Sequence, residues 1–187
     1  MKHVIVFASG QGSNAAAIID FFAGHDAVTV ALIVCNNPKA GVVALARAHG
    51  IPLLLIDKAT FSDAAAFARK LEGYNPALIV LAGFLWKVPE TVVRAFAGKI
   101  INIHPALLPK YGGKGMYGMR VHEAVKAAGE AETGITIHWV NEHYDEGAAI
   151  LQAYLPVAAD DSPERIAQRI HRLEHYYLPR AIAFLLD

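Results

Sequence analysis

The sequence predicts a three-layer α/β fold: a mostly parallel sheet with helices on both faces and an antiparallel strand addition towards the C-terminus. Three observations carry that expectation. Short aliphatic, β-branched runs are apolar throughout rather than alternating, as strands covered on both faces must be. Each run is followed by a helix-length, often Ala-rich segment, which is the alternation of a parallel sheet. After His104 the pattern changes, and Ile135, Ile137 and Trp139 alternate with Thr136, His138 and Val140, the period of a strand with two unlike faces.

Taken in order, "VIVFA" (4–8) is the first strand, leading through "SGQGSN" into a helix that Gly24 closes. "AVTVALIVCNN" (27–37) is the second strand, followed by a helix ending at Gly50. "PLLLID" precedes the helical segment "TFSDAAAFARKLEGY", in which Thr60 or Ser62 is the expected cap. "PALIVLAGF" (76–84) precedes "PETVVRAFAG", with Pro89 suited to a first helical turn. "KIINIH" (99–104) is the fifth strand. A Gly-rich stretch and the short helix "GMRVHEAVKAAG" follow, then "ETGITIHWV" and "AAILQAYLPV" as neighbouring strands, and a closing helix over about 163–186. No repeat or linker divides the chain, so residues 1–187 are expected to form one domain.

Composition narrows the function classes. The chain is 55% hydrophobic and 18% charged, which argues for a packed core over disorder. Its formal net charge is zero, so neither a nucleic-acid surface nor an anionic-membrane patch is expected. Cys35 is the only cysteine and lies in an apolar run, as a buried thiol of a reducing compartment would. No run reaches the ~20 apolar residues of a bilayer span, and the opening strand is too short for a signal peptide. A cytoplasmic setting is the expectation.

"SGQGSNAAA" holds Gly10, Gly12 and Ala15 in the spacing GxGxxA, directly after the first strand, as Rossmann-like dinucleotide folds do. An acid at the end of the second strand should then hold a ribose, but that strand ends "VCNN". An NAD-dependent oxidoreductase is therefore weakened. A phosphate at the helix start, met by Gly10, Gly12, Ser13 and Asn14, explains the glycines better than a plain tight turn does. "HRLEH" (171–175) matches a zinc-peptidase pattern with ligands at i and i+4. The acid that should follow is lacking apart from the terminal Asp187, so no metal is expected. His3, His25, His49 and His122 read as surface residues, whereas His138 points away from the Ile135/Ile137/Trp139 face.

Asn102 and His104 stand two apart at the end of a strand and so share a face. In open parallel sheets ligands bind at the carboxyl ends of the strands. An amide beside an imidazole suits oxyanion stabilisation and proton movement near neutral pH. The same pair equally suits the satisfaction of backbone groups at a strand end. Pro105 and Pro109 stiffen the exit of the chain. Asp145, in the loop "NEHYDEG", matters only where the fold brings it to His104.

Read together, "SGQGSN", "LAGFLWKVP", "INIHPALLPKYGG", "GITIHWVNEHYDEGAAILQA" and "LEHYYLPRAI" resemble the phosphoribosylglycinamide formyltransferases, the folate-dependent transformylases of purine synthesis, over nearly the whole chain. The resemblance implies formyl transfer from 10-formyltetrahydrofolate, a co-substrate, to the amine of glycinamide ribonucleotide. It implies no tightly bound cofactor, and a monomer or homodimer. Asn102, His104 and Asp145 are the implied catalytic residues, with Asp145 holding the imidazole and favouring its charged form. Gly10, Gly12, Ser13, Asn14, Gly83, Pro105 and Glu174 are the implied ribonucleotide contacts, Glu174 at the ribose hydroxyls. Phe84, Leu85, Trp86, Lys87, Val88, Asn141, Glu142, His143 and Tyr144 are the implied folate pocket. A formyltetrahydrofolate hydrolase and a non-catalytic nucleotide-binding module are the competing readings.

Three departures from that family stand out. Ala64 occupies a loop position that often carries a phosphate-assisting arginine, "GGKGMYG" replaces the usual Pro-Gly-x-x-x-His, and Leu85-Trp86 replaces Met-Arg. Lys114 is the expected substitute cation for the phosphate, and Lys110 the second choice.

Overall fold

The computed structural model describes all 187 residues. Five strands run parallel: β1 (Lys2–Ala8), β2 (Val28–Cys35), β3 (Leu53–Leu55), β4 (Pro76–Leu81) and β5 (Ile100–His104). Two more, β6 (Glu132–Trp139) and β7 (Ala149–Pro156), pair antiparallel beyond them, and the sheet order is β3-β2-β1-β4-β5-β6-β7. The chain works outward from β1 to one edge and then returns to β4 on the other side of β1. That reversal opens a crevice at the carboxyl ends of β1 and β4, where ligands of such sheets bind.

Helices cover both faces because both faces of the central strands are apolar. In β1, Val4, Val6 and Ala8 enter one core, beneath α1 (Ser13–Phe21), α2 (Gly41–Ala48) and the long α7 (Pro163–Leu186). Ile5 and Phe7 enter the other, with Phe67 and Leu71 of α4 (Ala64–Glu72) and Val92 and Val93 of α5 (Glu90–Ala95). α7 begins where Ser162 accepts a hydrogen bond from the Arg165 N–H at 3.2 Å, with Pro163 in the first turn where no N–H is needed. No helix is long and apolar enough to cross a membrane.

Two expectations need correction here. The segment after β3 forms two helices, α3 (Lys58–Ser62) and α4, broken at Asp63. Its caps are carboxylates: Asp57 accepts from the Thr60 N–H at 2.8 Å and Asp63 from the Ala66 N–H at 3.0 Å. Thr60 gives its own hydroxyl to Asp57, so it is a capped residue rather than a cap. His122 is not a surface residue. It lies on the inner face of α6 (Met119–Ala127) with Val121 and Val125 and is 2% exposed.

Candidate functional site

Three chain segments arrive at the crevice. The turn after β1 brings Gly10 to Asn14, the stretch after β4 brings Gly83 to Val88, and β5 ends on Asn102 and His104. They line one cavity of about 760 Å³, together with Lys114 and Arg120 from the Gly-rich loop and the first turn of α6, Asn141 to Asp145 from the β6–β7 loop, and Glu174 from α7. Glu142 is the exception within that loop. Its side chain lies outside the cavity, held by Arg94 at 2.6 Å. Lys110 lies elsewhere as well, paired with Glu130 at 2.8 Å in a separate, smaller depression.

The β5 end is a hydrogen-bonded cluster. Asn102 and His104 share a face, as residues two apart on a strand do, and β6 brings His138 opposite Asn102. The His138 Nδ1–H donates to the Trp139 carbonyl at 2.9 Å, which leaves Nε2 to accept from the Asn102 amide at 3.0 Å. The second Asn102 N–H reaches Asp145 Oδ1 at 3.4 Å. The Asp145 carboxylate is also 3.6 Å from His104 Nδ1 and from His138 Nε2, and its Oδ2 accepts from the Gly113 N–H at 2.9 Å. Asp145 sits at φ 55°, a left-handed conformation that the short Asp side chain tolerates, and this turns its carboxylate inward. Gly112 permits the close approach of the two loops: a Cβ there would meet Leu108 at 2.6 Å and Asp145 at 3.3 Å.

The protonation states follow from these contacts. His104 Nε2–H donates to the Tyr111 carbonyl at 2.7 Å, so in the neutral ring Nδ1 faces Asp145 as a bare lone pair. Burial pushes the His104 pKa down, and this outweighs the opposing pull of Asp145. The expected effect of Asp145 is therefore present but does not prevail, and the neutral imidazole is the resting form. Burial alone would raise Asp145. Its interactions with His138 and His104 and the Gly113 N–H bring it below the usual aspartate value, so it is a carboxylate at neutral pH.

The β1 end is built around a helix start. Gly12 caps α1 at φ 81°, and a Cβ there would meet Val42 of α2 at 2.8 Å, so only glycine fits. The first N–H groups of α1, Ser13 among them, open onto the cavity and suit an anion. Buried Glu174 anchors this end: Asn14 Nδ2 donates to its Oε2 at 3.1 Å, and His171 Nδ1 lies 2.8 Å from the same oxygen. The bond to Glu174 raises the His171 pKa. His171 and His175 stack with centroids 6.1 Å apart, and no group of three or more His, Cys, Asp or Glu side chains is arranged to hold a metal ion here or elsewhere.

The third wall is aromatic. Phe84 packs on Phe7 and Trp86 on Phe61, at centroid distances of 5.2 and 5.3 Å, while Lys87 lies over the Tyr144 ring at 5.7 Å. Arg120, His122 and His171 are cavity residues the sequence reading missed. His122 had a signal, since it stands three residues before buried Val125 on a short helix. Arg120 had none, because the loop before it fits no regular period.

Residues 2–182 match the formyl transferase family. The chain belongs to that family. The phosphoribosylglycinamide formyltransferase of Bacillus subtilis is 39% identical, over 100% of this chain and 95% of its own length. The crystal structure of glycinamide ribonucleotide transformylase 1 from Geobacillus kaustophilus superposes with a TM-score of 0.91 at 36% identity and covers both chains completely. A chloroplastic phosphoribosylglycinamide formyltransferase of Arabidopsis thaliana is 41% identical over 93% of this chain, which spans 62% of that relative's length. Family membership accounts for the mostly parallel sheet with its antiparallel β5-β6-β7 edge.

Proposed function

We propose that this member of the formyl transferase family transfers the formyl group of 10-formyltetrahydrofolate to the primary amine of glycinamide ribonucleotide. The observation that carries the reading is the meeting of Asp145 with Asn102 and His104 in a cavity whose far end is a glycine turn at a helix start. The ribonucleotide phosphate lies at Gly10 to Asn14, its ribose at Glu174, and the pterin between Gly83–Val88 and Asn141–Asp145. Lys114 or Arg120 supplies the cation that Ala64 does not.

The amine attacks the formyl carbon and gives a tetrahedral intermediate with an oxyanion and an ammonium. Asn102 stabilises the oxyanion through the N–H whose contact with Asp145 is long, 3.4 Å, while His138 holds the amide in place at 3.0 Å. A neutral His104 presents the Nδ1 lone pair as proton acceptor, and Asp145 opposite stabilises the imidazolium that forms. That proton passes to the folate N10, the C–N10 bond breaks, and formylated ribonucleotide and tetrahydrofolate leave. Proton transfer through a water bound to Asp145 serves the same balance.

The test is to mix protein, glycinamide ribonucleotide and 10-formyl-dideazafolate and to follow deformylation by absorbance. Loss of the formyl group only when ribonucleotide is present supports transfer. Loss without ribonucleotide makes the chain a hydrolase, and ribonucleotide binding without any loss makes it a non-catalytic binder.

A further inference from the structure

His122 is buried in the cavity wall, and its Nδ1 is sealed from solvent without a hydrogen-bond partner. The other buried histidines of the site are held by named partners, His104 by the Tyr111 carbonyl and His138 by Asn102 and the Trp139 carbonyl. Buried polar groups are nearly always paired, and an unpaired one lowers stability. A leucine would fill the same place on α6 without that loss, beside Val121 and Val125. The imidazole therefore invites an explanation other than packing.

Its surroundings supply one. The charged and titratable groups it senses are His171 and Glu174 from α7 and His104 from β5. All three line the same cavity, Glu174 at the helix-start end and His104 at the reacting end. His122 itself is held neutral by burial, with its pKa lowered to about 4, so it offers one donor and one acceptor rather than a charge. The χ2 torsion of histidine is broad and close to two-fold, so a bound ligand can select which ring edge carries nitrogen into the cavity.

We propose that His122 is a substrate-binding residue, its imidazole hydrogen-bonding the uncharged polar segment of the ribonucleotide, the ribose hydroxyls and glycosyl amide between phosphate and reacting amine. This rests on the proposed function for the identity of the ligand. It adds a contact from α6 to the one from Glu174, so that the ribonucleotide is read from two elements.

His122→Leu and His122→Gln test it, with steady-state kinetics, calorimetric titration of ribonucleotide into folate-free protein, and thermal melting. His122→Leu is expected to weaken ribonucleotide binding at least tenfold, in KM and in the titration, with folate KM within twofold and Tm equal to or above wild type. His122→Gln, which restores a donor and an acceptor, is expected to recover most of that loss. A ribonucleotide KM and Kd within twofold of wild type in His122→Leu overturn the inference. So does a lowered Tm with both substrates' KM values raised in step in both variants, which marks a packing role. Failure of the wild type to consume formyl-folate counts against formyl transfer alone, because the titration still reads the contact. A wild type that binds no ribonucleotide overturns both.

Discussion

At the β5 end of the cavity, Asn102, His104, His138 and Asp145 hold one another through contacts of 2.7–3.6 Å that include the Tyr111 and Trp139 carbonyls and the Gly113 N–H. At the β1 end, Glu174 gathers Asn14 and His171, yet Asn14 Oδ1 and His122 Nδ1 are buried without partners. Under the proposed function the contrast separates two tasks. Groups that meet a developing charge must be in place before it appears, since reorganisation during the reaction costs rate. Groups that recognise a ground-state ligand gain by being left unpaired, because the ligand then completes the hydrogen bonds that folding left open. On that proposal, stability given up at the second end returns as affinity.

The first way to break this contrast is to remove a member of the preorganised end. Asn102→Ala and Asp145→Asn are each expected to lower kcat by about 10²–10³-fold, the range for losing one oxyanion donor. Asp145→Asn keeps the shape but removes the charge that stabilises the His104 imidazolium. Circular dichroism should report an intact fold in both variants. Turnover at the wild-type rate in both would remove the mechanism.

A smaller effect follows from the protonation of His104. Its pKa lies below the usual 6.5 because burial outweighs Asp145, and the proposed reaction uses the neutral ring. At saturating substrates kcat should therefore stay flat as pH falls to 6.5 and drop only below that, by up to tenfold per pH unit once His104 is protonated. An imidazolium requirement gives the opposite sign, a rate that rises as pH falls towards 6.5. The pH profile of kcat decides between the two.

The parts of the molecule differ in how far their sequence betrays them. β1 and β4 are legible because burial on both faces demands continuous apolar runs of strand length. The sharing of a face by Asn102 and His104 follows from the strand period alone. The approach of Asp145 does not: it depends on a left-handed backbone at Asp145 and on Gly112 letting two loops touch, neither of which leaves a periodic trace. The joining of Asp145 to the pair came from family resemblance, not from the residues themselves. The division of the β3–α4 segment into two helices was hidden because Asp57 and Asp63 cap as well as the hydroxyl residues that follow them.

The unpaired end also makes a prediction about stability. The pKa of His122 is about 4 in the folded chain against 6.5 when unfolded. Between those values the unfolded state binds the extra proton, so stability rises with pH across this window and is lost as pH falls. His122 contributes nothing to this slope above pH 6.5, and its full effect, about 3 kcal/mol, is reached near pH 4. Burial lowers His104 and His175 too and steepens the same slope, whereas Glu174 raises His171, whose stabilisation is constant below pH 6.5 and is lost only as pH climbs above it. Urea unfolding of wild type and His122→Gln from pH 7.5 to 4.5 should show curves that converge at high pH and separate at low pH, with the variant more stable. Parallel curves would show that His122 is not held neutral.

The smallest expected effect concerns Glu142, which resemblance places in the folate pocket and the structure turns outward to Arg94. Both partners are exposed, with side chains 67% and 40% accessible, so solvent and salt screen the pair. Glu142→Ala is therefore expected to leave folate KM and kcat within twofold and to shift Tm by less than about 2 °C, a shift that 0.5 M salt erases. The neighbouring Tyr144→Ala removes a residue of the cavity wall and the ring beneath Lys87, and should raise folate KM several-fold. A folate KM that rises equally in both variants would mean that Glu142 swings inward when folate binds, and that the outward pair with Arg94 belongs to the empty site alone.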